Sequence, residues 1–279
     1  LEAVKTLKGP ILILAGAGSG KTMTMTYRIA RLIREENIPP HEILAVTFTN
    51  KAAGEMRNRV EKLIPPEATS LPVIGTFHAI CARFLRSEIE QMGYKKNFVI
   101  YDSADQKNLI KQILEDLKKD KQKISPAAVL NHISTAKNEL INPEKYKDLS
   151  LDHFTEIVSK VYPLYQRRLK ENNALDFDDL IMKCVELFRE YPEVLDKYQE
   201  RFKFINVDEY QDTNHAQYTW VKMLAEKYRN ICVVGDDWQS IYRWRGADLR
   251  NILNFEKDYP EAKEIKLEQN YRSTQVILD

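Results

Sequence analysis

The sequence reads ILILAGAGSGKT at positions 11–22, and this stretch decides the fold that we predict for the chain. Its apolar half is typical of a buried strand, and a helical pattern follows at 22–35. Glycines between a strand and a helix let backbone N–H groups surround an anion at the helix N-terminus, whose dipole favours negative charge. Lys21 then supplies a positive charge for the outer phosphates, and Thr22 a hydroxyl for Mg²⁺. The stretch predicts a phosphate-binding loop in an α/β fold.

A second stretch, VDEYQD at 207–212, supplies the acidic groups that such a loop requires. Asp208 and Glu209 follow the apolar run 204–207 at the carboxyl end of a predicted strand, where α/β sheets bind their ligands. One carboxylate can hold the metal ion, and the other can orient or deprotonate a water molecule. An acidic pair after a strand is common by itself, so the prediction of a nucleoside triphosphatase depends on both stretches.

The composition is typical of a soluble globular protein, with 279 residues of which 43% are hydrophobic and 30% charged. No apolar run approaches the length of a membrane span, so no membrane partner is expected. The cysteines are scattered and odd in number, which argues against a disulfide framework or a zinc site and indicates a cytoplasmic location. The formal net charge is +1, so nucleic-acid binding requires a local basic patch.

Short apolar runs rich in branched residues recur along the chain and predict parallel strands with helices between them. The predicted strands are 11–15, 43–48, 73–76, 204–208, 231–235 and 264–267. Between 87 and 174 such runs become scarce and amphipathic helical patterns dominate, as in 152–172. We therefore predict an α/β core that is interrupted by a helical insertion and resumes near Leu175.

Polar and aromatic side chains follow three other predicted strands, at 47–51, 75–78 and 235–246. Because the carboxyl ends of parallel strands share one edge of a sheet, these segments should lie beside the phosphate-binding loop. Rings that stack on bases, mixed with polar groups that contact phosphates, suit a single strand of nucleic acid. The alternative for each lone Phe or His in these segments is an ordinary structural role.

Further side chains are candidates for contacts to the nucleotide. Gln239 follows a strand that should neighbour Asp208, where an amide can orient the γ-phosphate or the attacking water. Arg272 can act on the γ-phosphate as an arginine finger, and Tyr271 can stack on the adenine ring.

The chain resembles the UvrD/Rep family of superfamily 1 DNA helicases along nearly its whole length. The matching stretches are AGAGSGKT at 15–22, TFTNKAAGEMRNRV at 47–60, GTFHAICARFLR at 75–86, LDFDDLI at 175–181, VDEYQDTN at 207–214, GDDWQSIYRWRGAD at 235–248 and LEQNYRST at 267–274. The resemblance implies a RecA-like P-loop NTPase sheet, called subdomain 1A, with a mainly helical inserted subdomain, 1B. It also implies ATP-driven 3′→5′ translocation on single-stranded DNA, with duplex unwinding in DNA repair or replication.

The resemblance further implies roles for individual residues. The ATP-binding set is Ala15, Gly16, Ala17, Gly18, Ser19, Gly20, Lys21, Thr22, Gln239, Tyr271 and Arg272. The metal set is Thr22 and Asp208, and the catalytic set is Glu209, the base, with Lys21, Gln239 and Arg272. The DNA-binding set is Phe48, Asn50, Thr76, His78, Phe177, Tyr242, Trp244 and Arg245. ATP and Mg²⁺ are the implied cofactors. Single-stranded DNA, its junctions with duplex, and accessory repair or replication proteins are the expected partners.

By the same resemblance, residues 1–86 and 175–279 form motor domain 1A, and residues 87–174 form the helical insertion 1B. We expect a longer protein whose second motor domain lies outside this sequence. Because ATP binds between the two motor domains in this family, the isolated chain should hydrolyse ATP weakly. Two alternatives stay open: the motor part of a helicase–nuclease subunit, and a module that binds ATP and single-stranded DNA with little hydrolysis of its own.

Overall fold

The computed structural model describes residues 2–16, 18–65, 70–117, 124–149, 151–236, 250–267 and 269–271. The chain forms two compact units. The first consists of Leu1–Ala79, Tyr191–Asn214 and Tyr218–Asp279, and the second of Ile80–Glu190 and His215–Gln217.

A sheet of six parallel strands forms the centre of the first unit. Its spatial order is β3 (Val73–Thr76), β2 (Ile43–Thr47), β6 (Phe204–Val207), β7 (Ile231–Gly235), β1 (Ile11–Ala15) and β8 (Lys263–Leu267). All residues of β2, β6 and β7 are buried, which is why these strands are continuous apolar runs and not alternating ones. The predicted α/β fold class is confirmed, and each predicted strand is present to within one residue at either end.

Helices flank this sheet and complete its core. They are α1 (Glu2–Lys5), α2 (Lys21–Arg34), α3 (Asn50–Leu63), α10 (Pro192–Arg201) and α12 (Arg250–Asp258). Short 3₁₀ helices occur at Pro40–Glu42 and Tyr210–Asp212. Thr49 caps α3, since its hydroxyl oxygen accepts a hydrogen bond from the Ala52 N–H at 3.1 Å. Ile29 and Leu32 of α2 and Met56 and Val60 of α3 are buried in the same apolar cluster as the strands.

The second unit is mainly helical, as the amphipathic helical patterns of its sequence predict. Its helices are α5 (Ser103–Asp116), α6 (Pro126–Asn138), α7 (Pro143–Asp148), α8 (His153–Glu171) and α9 (Asp179–Glu190), with a 3₁₀ helix at Ile89–Met92. The helices α4 (Phe77–Glu88) and α11 (His215–Ala225) have residues in both units. The predicted apolar face of α8 is confirmed, because Ile157, Val158, Val161 and Tyr165 are buried and Phe154 packs against their cluster.

Two features of the second unit were not predicted. The first is a pair of two-residue parallel strands, β4 (Val99–Ile100) and β5 (Ala174–Leu175), which are too short to leave a periodic pattern. The second is the grouping of α9 with the helical unit. Compact units and family subdomains are different divisions of a chain, and the subdomain boundaries at 87 and 174 stay a prediction. Among the described residues, no helix is both long and apolar enough to span a membrane.

Candidate nucleotide-binding site

The loop between β1 and α2 has the conformation of an anion cradle. Gly18 and Gly20 have φ angles of 75° and 87°, in the left-handed region that glycine adopts without strain. The loop is closed by Ser19, whose N–H and hydroxyl both donate to the Gly16 carbonyl, at 3.3 and 2.7 Å. Gly20 is the N-cap residue of α2 and has no side chain that could cap the helix. The first N–H groups of α2 are therefore left to bind a ligand.

Two oxygen ligands for a metal ion meet beside this loop. Asp208, at the end of β6, is buried and accepts a hydrogen bond from the Thr22 side chain at the start of α2. Burial, and then the neighbouring charge of Glu209, raises the pKa of Asp208 to about 6, although the Glu209 N–H, Lys21 and Thr22 favour its ionised form. A hydroxyl and a carboxylate are the oxygen donors that Mg²⁺ prefers. Thr22 and Asp208 therefore fit the metal-binding role predicted for them.

A magnesium ion bound by Thr22 and Asp208 would require no further protein ligands. Within the described part of the chain, no group of three or more His, Cys, Asp or Glu side chains is arranged to hold a metal ion. Mg²⁺ is commonly bound by one or two protein groups, with substrate phosphates and water completing its coordination. The pair of Thr22 and Asp208 matches that mode of binding.

Lys21 lies between two carboxylates at the ends of neighbouring strands. Its Nζ is 3.4 Å from Glu209 Oε2 and 3.5 Å from Asp236 Oδ2. Asp236 is buried, whereas the Glu209 side chain is 40% exposed and accessible to water. The structure thus brings Lys21, Thr22, Asp208 and Glu209 together at the carboxyl edge of the sheet, although Lys21 and Glu209 are 188 positions apart in sequence.

Gln211 connects Glu209 to the next strand, and the sequence analysis did not single it out. The Gln211 side-chain amide donates to Glu209 Oε2 at 2.8 Å, and its Oε1 accepts from the Asp236 N–H at 3.1 Å. Gln211 is buried, and a Cβ at Gly235 would lie 3.0 Å from Gln211 Oε1, so only glycine fits there without displacement. Glu209 has a φ of 51°, a left-handed conformation that costs a non-glycine residue about 1–3 kcal/mol. Gln211 holds Glu209 in this strained position.

The family of the chain is given by its similarity to known proteins. The model of the UvrD/REP helicase N-terminal domain matches residues 1–260. The chain belongs to the UvrD/REP helicase family. The family resemblance inferred from the sequence motifs is therefore confirmed.

Relatives in this family match the whole chain. It is 55% identical over 277 residues to "ATP-dependent DNA helicase PcrA" of Bacillus subtilis (strain 168), covering 99% of the chain and 37% of that protein. It is 54% identical over 278 residues to the protein of the same name from Staphylococcus aureus (strain Mu50 / ATCC 700699), covering 100% of the chain and 38% of that protein. The chain thus spans somewhat more than a third of the length of these UvrD/REP relatives.

The residue predicted to stack on adenine, Tyr271, is bonded to the phosphate-binding loop of this UvrD/REP chain. Its backbone N–H donates to the Gly18 carbonyl at 2.9 Å, and its hydroxyl donates to Gln269 Oε1 at 3.0 Å. The Tyr271 side chain is 68% exposed. The segment after β8 therefore presents an accessible aromatic ring next to the loop.

Four of the eight residues that the UvrD/REP resemblance assigns to DNA lie at or just after the carboxyl ends of β2 and β3, on the same sheet edge. Phe48 is partly buried, with its ring centroid 5.4 Å from that of Phe77, and Asn50 is exposed at the start of α3. The Thr76 hydroxyl accepts from the Ala79 N–H at 3.3 Å. Burial lowers the pKa of His78 to about 4, so its imidazole is neutral at physiological pH.

The remaining predictions fall on other parts of the UvrD/REP chain. Phe177 is in the second unit and its side chain is 53% exposed. Six predicted site residues lie outside the described residues: Ala17, Gln239, Tyr242, Trp244, Arg245 and Arg272.

Proposed function

We propose that this chain is the N-terminal motor part of an ATP-dependent DNA helicase, which binds ATP with Mg²⁺ and single-stranded DNA. Hydrolysis of ATP would drive 3′→5′ movement along the strand and unwinding of duplex DNA in repair or replication. The observation that carries the proposal is the meeting of Lys21, Thr22, Asp208 and Glu209 at one edge of a parallel sheet.

The nucleotide would bind with its phosphates in the loop between β1 and α2. Backbone N–H groups of the loop and the dipole of α2 favour the negative charge, and the Lys21 ammonium group adds a full positive charge. Thr22 and Asp208 would hold Mg²⁺, which supplies neutralising charge for the phosphates. Glu209 Oε2 lies 3.4 Å from Lys21 Nζ, so phosphate oxygens would compete with Glu209 for the ammonium group. Glu209 would thereby be released from its ion pair when nucleotide binds.

Glu209 is the group best placed to accept the proton of the attacking water. It is adjacent in sequence to the metal ligand Asp208, and its carboxylate is accessible to water. Gln211 fixes the carboxylate by donating to one of its oxygens, at 2.8 Å. A base that is oriented in this way can take the proton as the water attacks the γ-phosphate.

The DNA strand would lie along the edge of the sheet at which β2 and β3 end. There Phe48 offers a ring for stacking, Asn50 an amide, and the neutral His78 a hydrogen-bonding imidazole without charge. These residues lie at the ends of β-strands in the same sheet that would hold the nucleotide. A change in conformation at the phosphates would therefore be transmitted to the bound DNA strand.

We further propose that full turnover requires a second motor domain and that the partners include junction DNA and accessory repair or replication proteins. The relatives of which the chain covers 37–38% are named DNA helicases.

The substitution Glu209→Gln, made in the full-length protein that includes the second motor domain, tests this function. It should lower the rate of ATP hydrolysis stimulated by single-stranded DNA by about 10²–10⁴-fold, because the water loses its base. Binding of a fluorescent ATP analogue and of DNA should persist. Glu200→Gln is the matched control, because Glu200 is an exposed residue of α10 that pairs with Lys227 and Tyr228, away from the loop. Unchanged hydrolysis in Glu209→Gln would contradict the role of Glu209, and absence of hydrolysis in the unmodified protein would favour a binding module.

A further inference from the structure

The turn that begins α9 is closed by two aspartates that bond to each other's backbone. The Asp179 N–H donates to Asp176 Oδ1 at 2.8 Å, and the Asp176 N–H donates to Asp179 Oδ2 at 3.2 Å. This reciprocal arrangement has the spacing of a capping box and fixes the path of the chain into α9. The turn contains Phe177, one of the residues that the family resemblance assigns to DNA.

A buried lysine from α6 joins the two carboxylates of this turn. Lys137 has 0% exposure, and its Nζ lies 2.6 Å from Asp176 Oδ2 and 2.9 Å from Asp179 Oδ1. The Tyr165 hydroxyl donates to Asp176 Oδ2 at 2.9 Å, and the Gln166 amide donates to Asp179 Oδ1 at 3.1 Å. All four carboxylate oxygens are therefore bonded, which removes the large cost of burying such charges unpaired.

The same helix also contacts the third aspartate of the turn. Asp178 is partly buried and hydrogen-bonds the side chains of Ser134 and Asn138, which are both on α6 with Lys137. Residues on both sides of Phe177 are thus held inward by α6, whereas the Phe177 side chain is 53% exposed. Fixing its neighbours in this way restricts the positions that the Phe177 ring can occupy.

A buried ion pair is weak evidence for stability, because the loss of hydration offsets much of the attraction between the charges. If position 137 only had to fill space, an apolar side chain would serve. The lysine additionally bonds both aspartates and so fixes the conformation of the turn. Such networks are retained in some proteins because they select one conformation. Here the conformation that the network selects is the one that exposes an aromatic ring.

We propose that Lys137 is a positioning residue for Phe177. It fixes the turn Asp176–Asp179 so that the Phe177 ring is presented to stack on a base of single-stranded DNA. This inference rests on the proposed function, in which Phe177 contacts the strand. Lys137 is itself fully buried and does not reach the phosphates of DNA.

A double-mutant cycle on the affinity for single-stranded oligonucleotide tests the proposal. Phe177→Ala should weaken binding by about 5- to 150-fold, the loss expected when a stacked base loses its ring. Lys137→Met should weaken binding by a similar factor, and the double variant should lose no more than the larger single loss. Affinity for a fluorescent ATP analogue should stay unchanged in all three variants, which a general loss of structure would not allow.

Lys160→Met is the matched control for charge. Lys160 is an exposed residue of α8 that pairs with Glu156 at 2.7 Å, so its removal takes one positive charge from the same unit without touching the turn. Its affinity for DNA should stay within about twofold of the unmodified protein. Lys137→Met should also leave the salt dependence of DNA binding unchanged, whereas loss of a direct phosphate contact would reduce that slope by about one.

Lys137→Met should also lower stability, because two buried carboxylates lose their cation. A second, milder variant therefore tests the same positioning role. Asp176→Asn preserves the volume and leaves Lys137 paired with Asp179, and it should weaken DNA binding in the same direction by a smaller factor. If Phe177→Ala weakens binding but Lys137→Met and Asp176→Asn do not, or if the losses multiply in the double variant, positioning by Lys137 is wrong while the proposed function stands. If Phe177→Ala itself has no effect on binding, the DNA contact and the inference built on it both fail.

Discussion

Gln211 shows how one amide can join two parts of the candidate nucleotide-binding site. It donates to the Glu209 carboxylate and accepts from the Asp236 backbone, so the ends of β6 and β7 share one side chain. Asp236 in turn lies 3.5 Å from Lys21, which closes a ring of contacts around the phosphate-binding loop. A displacement at any member of this ring would be transmitted to the proposed base.

The substitution Gln211→Ala should therefore affect catalysis more than nucleotide affinity. Loss of the hydrogen bond that orients Glu209 is worth about 1–1.5 kcal/mol, so ATP turnover should fall by about 10-fold. The matched control is Gln199→Ala, because Gln199 is also a buried amide of the first unit, donating to the Met223 carbonyl at 2.7 Å. Both variants should lose similar free energy of unfolding in urea. Equal turnover in the two variants would show that Gln211 has a structural role alone.

Some site residues could be predicted from the sequence, and others could not, for a physical reason. Lys21, Thr22, Asp208 and Glu209 follow apolar strands, and the ends of parallel strands meet at one edge, so their proximity follows from the pattern. Gln211 follows β6, as Asp208 and Glu209 do, but a buried amide in a turn leaves no periodic pattern in the sequence. Lys137 lies in an amphipathic helix, where a lysine normally indicates the face in contact with water. Its burial depends on Asp176 and Asp179, which are far away in sequence.

At the scale of the element, the turn before α9 carries a buried carboxyl group whose pKa is raised. Burial, and then the charge of Asp179, raises the pKa of Asp176 to about 7, although Lys137 opposes that shift. An unfolded aspartate has a pKa of about 3.9. Between these values the folded state binds the proton more tightly than the unfolded state does, so the contribution of Asp176 to stability decreases as pH rises from about 4 to 7.

The substitution Asp176→Asn should remove this pH dependence. The free energy of unfolding of the unmodified protein, minus that of the variant, should fall between pH 4 and 7, with a slope of at most about 1.4 kcal/mol per pH unit for one proton. Urea unfolding at intervals of pH measures it. The control is Asp152→Asn at the N-cap of α8, since backbone hydrogen bonding to Thr155 lowers the pKa of Asp152. Its stabilising effect is lost only as pH falls through that lowered pKa, so the control difference should be flat from pH 5 to 8. A flat difference for Asp176→Asn as well would contradict the assigned shift.

At the scale of the whole molecule, most of the six-stranded sheet could be predicted from the sequence, because β1, β2, β6 and β7 are runs of mainly apolar, mostly branched residues. The edge strand β8, KEIKL, is largely polar and only Ile265 of it is buried. The helical unit was also expected, from the face of α8 that packs against α5 and α6. The two-residue strands β4 and β5 could not be predicted, since their pairing joins positions 99–100 to 174–175 and two residues are too few to leave a periodic pattern.

Because the site residues lie in one unit, we can predict which part of the chain a bound nucleotide stabilises. Lys21, Thr22, Asp208 and Glu209 all belong to the first compact unit. ATP with Mg²⁺ at about 100 times its dissociation constant should stabilise the structure to which it binds by about 2.7 kcal/mol. Amide hydrogen exchange should therefore slow mainly in β1, α2 and β6, and less in α5–α8. The variant Lys21→Ala should abolish the effect. Equal protection of both units by nucleotide would contradict this prediction.

The carboxylates beside Lys21 have a consequence for which anions the loop accepts. Any incoming ion must compete with Glu209 and Asp236, which lie 3.4 and 3.5 Å from the ammonium group. Chloride carries less charge than the pair that it would displace, whereas a polyphosphate carries more and brings a divalent cation with it. We therefore expect chloride to compete poorly with a polyphosphate for Lys21, so that the loop would select anions by total charge before the shape of the base matters.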